Sequence, residues 1–200
     1  MTFNTFKKAV DMCDESIAIG GGEPTLHPKF NDFLLHAIAN VENVWLATNG
    51  SVTTTALNLA KLAKRGVVGV DLSQDSYHDD IDPAVVAAFS DMKRDRSSFL
   101  YENRTDRRSI RNTERNIIYA GRAKHLYEAN KKLTCCEEGG IIKPDGSIWW
   151  CGCSSSMKIG DVCKGFYKKW TRDMPWTEYG CYEKWSSAQP RYFTDRNHKS

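Results

Sequence analysis

Three groups of residues in this chain of 200 carry types and spacings that could do chemistry. The first is Gly20-Gly21-Gly22-Glu23-Pro24-Thr25-Leu26-His27-Pro28, which follows the short apolar run 16–19. Glycines behind a buried strand let the backbone approach a ligand closely. A carboxylate at that edge accepts from an ammonium group. The competing use of a bare glycine turn leaves Glu23 facing water. The second group is the seven cysteines, Cys13, Cys135, Cys136, Cys151, Cys153, Cys163 and Cys181, of which six fall within 135–181. The third is the basic stretch 93–115, with Arg104, Arg107, Arg108, Arg111 and Arg115 among its cations. Arginines of this density contact phosphate in some proteins. The interleaved acids favour a solvated loop or insertion with local ion pairs.

These residues need a scaffold, and the sequence describes one. The length suits one domain, or one domain with a small appendage. Such a chain buries roughly 70% of its unfolded surface, enough for a core without staples. Hydrophobic residues make up 40% and charged residues 26%, as in an ordinary globular protein. The net charge of +3 is too mild to announce a nucleic-acid partner. No apolar run approaches the ~20 residues of a membrane span. The opening MTFNTFKKAV lacks the pattern of a secretory signal. The expected compartment is therefore the cytoplasm, where clustered cysteines hold metal more often than they form disulfides.

Residues 16–19 read as a strand ending in the glycine turn. Phe30, Phe33, Leu34, Ala37, Ile38 and Val41 form one helical stripe. Residues 44–48 read as a second strand, closed by Asn49-Gly50. Ser51 or a following Thr caps the next helix, which stops at Gly66. Residues 66–73 are a third strand, and Asp82-Pro83 opens a third helix. This alternation favours parallel strands with helical crossovers, an α/β fold. Residues 116–126 resemble a further strand and turn. Residues 141–153 look like a hairpin turning at Pro144-Asp145-Gly146. No internal repeat is present.

The nine-residue glycine string resembles the GGEP motif of the radical S-adenosylmethionine (radical SAM) enzymes, in a form close to GGEPTLHP. Thr48-Asn49-Gly50 and Asp71-Leu72-Ser73-Gln74-Asp75-Ser76-Tyr77-His78 resemble the ends of the next two barrel strands. Gly121-Arg122-Ala123 resembles a later segment. The likeness covers roughly residues 5–180. It implies that Gly21, Gly22, Glu23 and Pro24 hold the methionine end of SAM, and that Thr48, Asn49, Ser73 and Arg122 add polar contacts to its ribose or carboxylate. As isolated residues, Thr48 and Ser73 serve equally well as strand-end caps. His27 and His78 are expected to be structural.

Cys136, Gly146 and Cys151 form C-x9-G-x4-C, which resembles the opening of the SPASM and twitch auxiliary-cluster domains. A hairpin would bring the first two thiols together. Cys163 and Cys181 would complete the four thiolates of a [4Fe–4S] cluster, with Cys135 and Cys153 as spares. Zinc is the rival metal, since it takes four thiolates equally well. Burial as structural cysteine suits one or two members. The longer cysteine pattern of a full SPASM tail is absent, so a single-cluster twitch-like domain fits better.

The family's SAM-binding cluster uses C-x3-C-x2-C ahead of GGEP, and these residues contain no such triplet. The expectation is therefore an incomplete (β/α) barrel of radical SAM type over 1–130, with the first βα unit missing. A small Cys-rich β-hairpin domain and tail follow over 131–200. The implied activity is reductive cleavage of SAM to a 5′-deoxyadenosyl radical and hydrogen abstraction from a peptide or other substrate. The chain alone is expected to be inactive, either as the C-terminal part of a split or truncated enzyme or as one that works with an upstream polypeptide supplying the cluster loop. The alternative is a non-catalytic, metal-stabilised module that binds a peptide or partner.

Overall fold

The computed structural model describes residues 1–13, 15–74, 79–90, 105–111, 141–149 and 158–166. The first helix, α1 (Phe3–Val10), is capped by Thr2, whose hydroxyl accepts from Thr5 N at 3.1 Å. Lys7 and Lys8 lie in its last turn, where cations oppose the negative end of the helix dipole. Its apolar stripe buries Phe6, Ala9 and Val10.

Strands and helices then alternate: β1 (Ser16–Ile19), α2 (Phe30–Asn40), β2 (Asn43–Thr48), α3 (Thr53–Lys64), β3 (Gly69–Ser73), α4 (Pro83–Ser90) and β4 (Arg108–Arg111). All neighbouring pairs are parallel, in the order β1-β2-β3-β4. The register aligns Ala47, Asp71 and Ser109 on one rung and Ser73 with Arg111 two positions further on, on the same face. Chain order and strand order coincide, the topology of a (β/α) barrel segment.

Side chains alternate across this sheet. Ile19, Val44, Leu46, Val70 and Leu72 are buried on one face. The helices meet that face with Phe33, Leu34, Ala37, Ala56, Leu59, Val85 and Phe89. The other face carries Ala18, Trp45, Ala47, Asp71, Ser73, Ser109 and Arg111, all half-buried or exposed. A parallel sheet covered on both sides reads as a continuous apolar run. The polar residues here mark a face that the described helices leave open.

Local details differ from the expectations. Val52, not Ser51 or a threonine, occupies the N-cap of α3, without a side-chain bond. Ser51 instead donates its N–H to Asn49 Oδ1 at 3.0 Å. The third strand starts at Gly69 rather than 66, because Gly66 takes φ +76 to end the helix. Asp82 does cap α4, accepting from Ala84 N at 2.8 Å. Part of the basic stretch is a strand, not loop: β4 extends the parallel sheet. Arg108 makes this feasible. It is only 5% exposed, bonded to Asp106 at 2.5 Å and to the Ala88 carbonyl. Its buried charge is thus paired and hydrogen-bonded.

A second sheet is an antiparallel meander of β5 (Ile141–Ile142), β6 (Ser147–Trp149), β7 (Lys158–Asp161) and β8 (Gly165–Phe166). Its first two strands form the expected hairpin. Asp145 Oδ1 accepts from Ser147 N and Oγ, which lowers the Asp145 pKa. Gly146 takes φ +86 to complete the turn. Ile148 and Ile159 are buried.

The chain forms two compact units, Glu15–Asn116 and Met1–Asp14 with Ile117–Ser200. The first helix belongs with the meander, where a side chain at Gly146 would meet Thr5 Cγ2 at 3.3 Å. The expected boundary at 130 and the strand expected at 116–126 lie outside the described residues. No helix among the described residues is long and apolar enough to cross a membrane.

Candidate functional site

The site is built where the parallel strands end. Leaving β1, the chain passes Gly20 and takes left-handed φ values at Gly21 (+100) and Gly22 (+53). Side-chain-bearing residues resist that region. Among the described residues, chain neighbours aside, no atom lies within 4 Å of where a Cβ would sit on Gly20, Gly21 or Gly22. The strand therefore ends in a bent backbone that no side chain of the described residues crowds.

Glu23 follows and turns its carboxylate along the sheet edge. Its Oε1 accepts from Thr25 N at 3.1 Å and Thr25 Oγ at 2.6 Å, capping the 3₁₀ turn Pro24–Leu26. Thr48 Oγ donates to the same oxygen at 2.9 Å, and Asn49 N donates to Oε2 at 2.6 Å. Glu23 thus ties the exit of β1 to the exit of β2. A carboxylate offers about four acceptor positions. Oε1 is crowded, whereas Oε2 has one donor among the described residues and capacity for another.

Thr48 is 1% exposed and fully engaged, since its Oγ also accepts from Gly50 N at 3.1 Å. Asn49 spends its side-chain oxygen on the Ser51 amide. Pro24 is buried. Ser73 stands half-buried at the end of β3. The structure therefore brings Gly21, Gly22, Glu23, Pro24, Thr48 and Asn49 together at two adjacent strand ends and sets Ser73 at the third.

His27 faces Phe33 with ring centroids 4.7 Å apart, and its Nδ1 accepts from Lys29 N. That local engagement agrees with a structural histidine. His78 lies outside the described residues, as do Arg122, Cys135, Cys136, Cys151, Cys153 and Cys181. Cys163 is exposed in the turn between β7 and β8, and Lys8 Nζ donates to its Sγ at 3.2 Å. Cys13 is buried, with its thiol bonded to Ala9 O at 3.3 Å. Among the described residues, no group of three or more His, Cys, Asp or Glu could hold a metal ion.

Two residues that the sequence reasoning named but did not assign to this site stand on the sheet face that the described helices leave open. Asp71 is held by Ser109 Oγ and by the Trp45 side chain. Burial pushes its carboxyl above the ordinary range, while Arg111 and the Trp45 hydrogen bond pull it down. Arg111 pairs in register with Ser73 at the strand mouth. The only signal for either is period-two alternation, within the third strand for Asp71 and within the arginine-bearing fourth strand for Arg111.

The radical SAM superfamily model matches residues 3–120. Neither a curated protein nor a solved structure matches the chain. Four parallel strands in sequential order, with a glycine-rich carboxylate turn at the mouth of the first, fit a part of that family's barrel. The family generally uses SAM and an iron–sulfur cluster. On this match and this architecture, the chain belongs to the radical SAM superfamily.

Proposed function

We propose that this chain is the SAM-binding part of a radical SAM enzyme, acting with a cluster-bearing C-x3-C-x2-C loop from outside these 200 residues. The observation that carries the proposal is the anchored Glu23 beside the open Gly20–Gly22 backbone. An α-ammonium group needs several acceptors converging on a small space. Backbone carbonyls of the glycine turn and the free position on Glu23 Oε2 meet that need. Thr48 and Asn49 act through Glu23, fixing its rotamer so that no ordering cost falls on binding. Ser73 offers a hydroxyl to the carboxylate or ribose from the third strand end, and Arg122 belongs to the same contact set. The residues present fit SAM. Reduced through an iron–sulfur cluster, SAM supplies the family's hydrogen-abstracting chemistry.

The described residues do not fit the SAM-binding cluster itself, because no group of metal-ligating side chains lies among them. The whole sequence also lacks the three-cysteine loop. Among the described residues β1 pairs only with β2, which leaves its outer edge for a further strand. Such an edge invites pairing. The proposal assigns Cys136, Cys151, Cys163 and Cys181 to an auxiliary [4Fe–4S] cluster and takes a peptide as substrate.

The test is anaerobic reconstitution followed by assay for 5′-deoxyadenosine. None is expected from the chain alone, and production is expected once a polypeptide carrying the cysteine loop is added. No production with any such polypeptide, together with no SAM binding, would favour the non-catalytic module. One zinc and no iron after reconstitution would remove the auxiliary cluster from the proposal.

A further inference from the structure

The sequence Arg107-Arg108-Ser109-Ile110-Arg111 divides by alternation. Arg108 points to the helix side, where Asp106 and the Ala88 carbonyl hold its guanidinium. Ser109 and Arg111 lie on the open face. The Arg107 guanidinium joins them there, within 3.6 Å of where a Cβ on Gly69 would point. Successive members of this row are about 6.6 Å apart along the strand.

The row is built rather than incidental. Trp45 pairs with Gly69, and its Cδ1 would lie 2.8 Å from a Cβ there. The missing side chain lets the indole lie across β3, where Trp45 also bonds to Asp71. Ser109 donates to Asp71 from the other side. Asp71 is thereby fixed between two strands. The Nε of Arg107 is buried and has no hydrogen-bond partner among the described residues. A buried donor left without an acceptor is costly until a ligand or water supplies one. The charges of Arg107, Asp71 and Arg111 sum to one excess positive charge, beside an indole that gives an apolar wall.

We propose that this row, Arg107–Ser109–Arg111 on the open sheet face, binds a carboxylate-bearing segment of a peptide substrate. The inference rests on the radical SAM reading of the sheet and adds the substrate's chemical class to it. Arg107 and Arg111 each donate to a carboxylate. Trp45 packs against the aliphatic part of the segment. Asp71 spaces the two cations and repels the ligand, so the charge on Asp71 limits affinity rather than supplying it.

The test is calorimetric binding of capped peptides to the full chain, with and without SAM. One peptide carries alternating Glu and Gly, a second replaces Glu with Gln, and a third is neutral with a free C-terminal carboxylate. The Glu peptide is expected to bind and the Gln peptide to fail. Binding of the third identifies the terminal carboxylate, rather than an acidic side chain, as the group recognised. Arg107→Gln and Arg111→Gln are each expected to weaken binding about 5- to 10-fold, the loss of one charge-assisted hydrogen bond. Asp71→Asn keeps an acceptor for Ser109 and Trp45 and removes the charge, so it should tighten binding about 2- to 3-fold.

Weaker binding in Asp71→Asn, equal binding of the Glu and Gln peptides, or failure of all three peptides overturns the proposal. So does loss of SAM binding in Arg111→Gln with peptide binding unchanged, or preference for a single-stranded oligonucleotide. Thermal melts of each variant separate misfolding from lost contact, and Ser109→Ala, smaller in effect, provides a second route to freeing Asp71. SAM binding without peptide binding counts against this inference alone. Peptide binding without SAM binding counts against the SAM proposal alone.

Discussion

Arg108 and Arg111 stand three residues apart on one short strand, yet they serve opposite faces of the sheet. Arg108 is 5% exposed, and its guanidinium is consumed by Asp106 and a helix carbonyl. Arg111 is exposed, level with Ser73 at the mouth, and within the field of a half-buried aspartate. The rest of the sheet repeats the contrast. One face holds Leu46, Val70 and Leu72 against helices, and the other holds Trp45, Asp71 and Ser109, which no described helix covers. Residues on the first face should set stability, whereas residues on the second should set binding.

The largest effect is expected on the covered face. Leu46→Ala or Leu72→Ala removes a side chain with no exposure and should cost about 2–5 kcal/mol. Denaturant unfolding measures this, and a cost below about 1 kcal/mol would show that the core is not where the helices meet the sheet. Next is Glu23→Gln. It puts an amide donor where a carboxylate oxygen now accepts from Thr25, Thr48 or Asn49, and should cost about 1–3 kcal/mol. Faster hydrogen exchange at the Asn49 amide is the local signature. An unchanged exchange rate would mean that the bond between the two strand exits carries no weight.

Gly69→Ala is expected to cost about 1–3 kcal/mol, because its methyl group would lie 2.8 Å from Trp45 Cδ1. The indole N–H resonance of Trp45 should shift as its bond to Asp71 breaks. A stable variant with an unmoved indole signal would break the link between glycine, tryptophan and aspartate.

The smallest effect is in pH dependence, where the two faces should differ in sign. Asp71 has a folded pKa above its ordinary 3.8 because burial disfavours its charge. The folded state then binds the proton more readily than the unfolded state, so Asp71 contributes more stability as pH falls through the raised value. Asp106 has a folded pKa below 3.8, chiefly through its hydrogen bond from Arg108. Its contribution is present above 3.8 and is lost as pH falls through the lowered value. Urea titrations of Asp71→Asn and Asp106→Asn against the parent should show differences trending in opposite directions with pH. Parallel trends would contradict the assignment of the two carboxylates to different environments.

Much of this arrangement was legible in the amino-acid order. Apolar runs at 16–19 and 44–48 and the stripe through Phe33, Leu34 and Ala37 gave strands and a helix, because burial demands those periods. Asp82-Pro83 marked a helix start through a cap that the structure shows. The glycine string located the site because its φ values admit few other residues. What escaped was non-local. Residues 108–111 contain two arginines and one isoleucine, so no apolar run betrays β4; its strand character comes from the parallel partner β3 and from Asp106. Asp71 gains its neighbours through register with Ser109 and a side-chain hydrogen bond from Trp45, which lie 38 and 26 positions away. The grouping of α1 with the distant meander follows from tertiary contacts alone.

The most direct measurement is equilibrium binding of labelled SAM to the chain joined by a polypeptide carrying the three-cysteine loop, compared with the same assembly bearing Glu23→Gln. One SAM should bind per assembly, and the substitution should weaken binding about tenfold, the equivalent of one charge-assisted contact. Absence of binding in the parent assembly, or equal affinity in both, would contradict a methionine-end pocket at the glycine–glutamate turn.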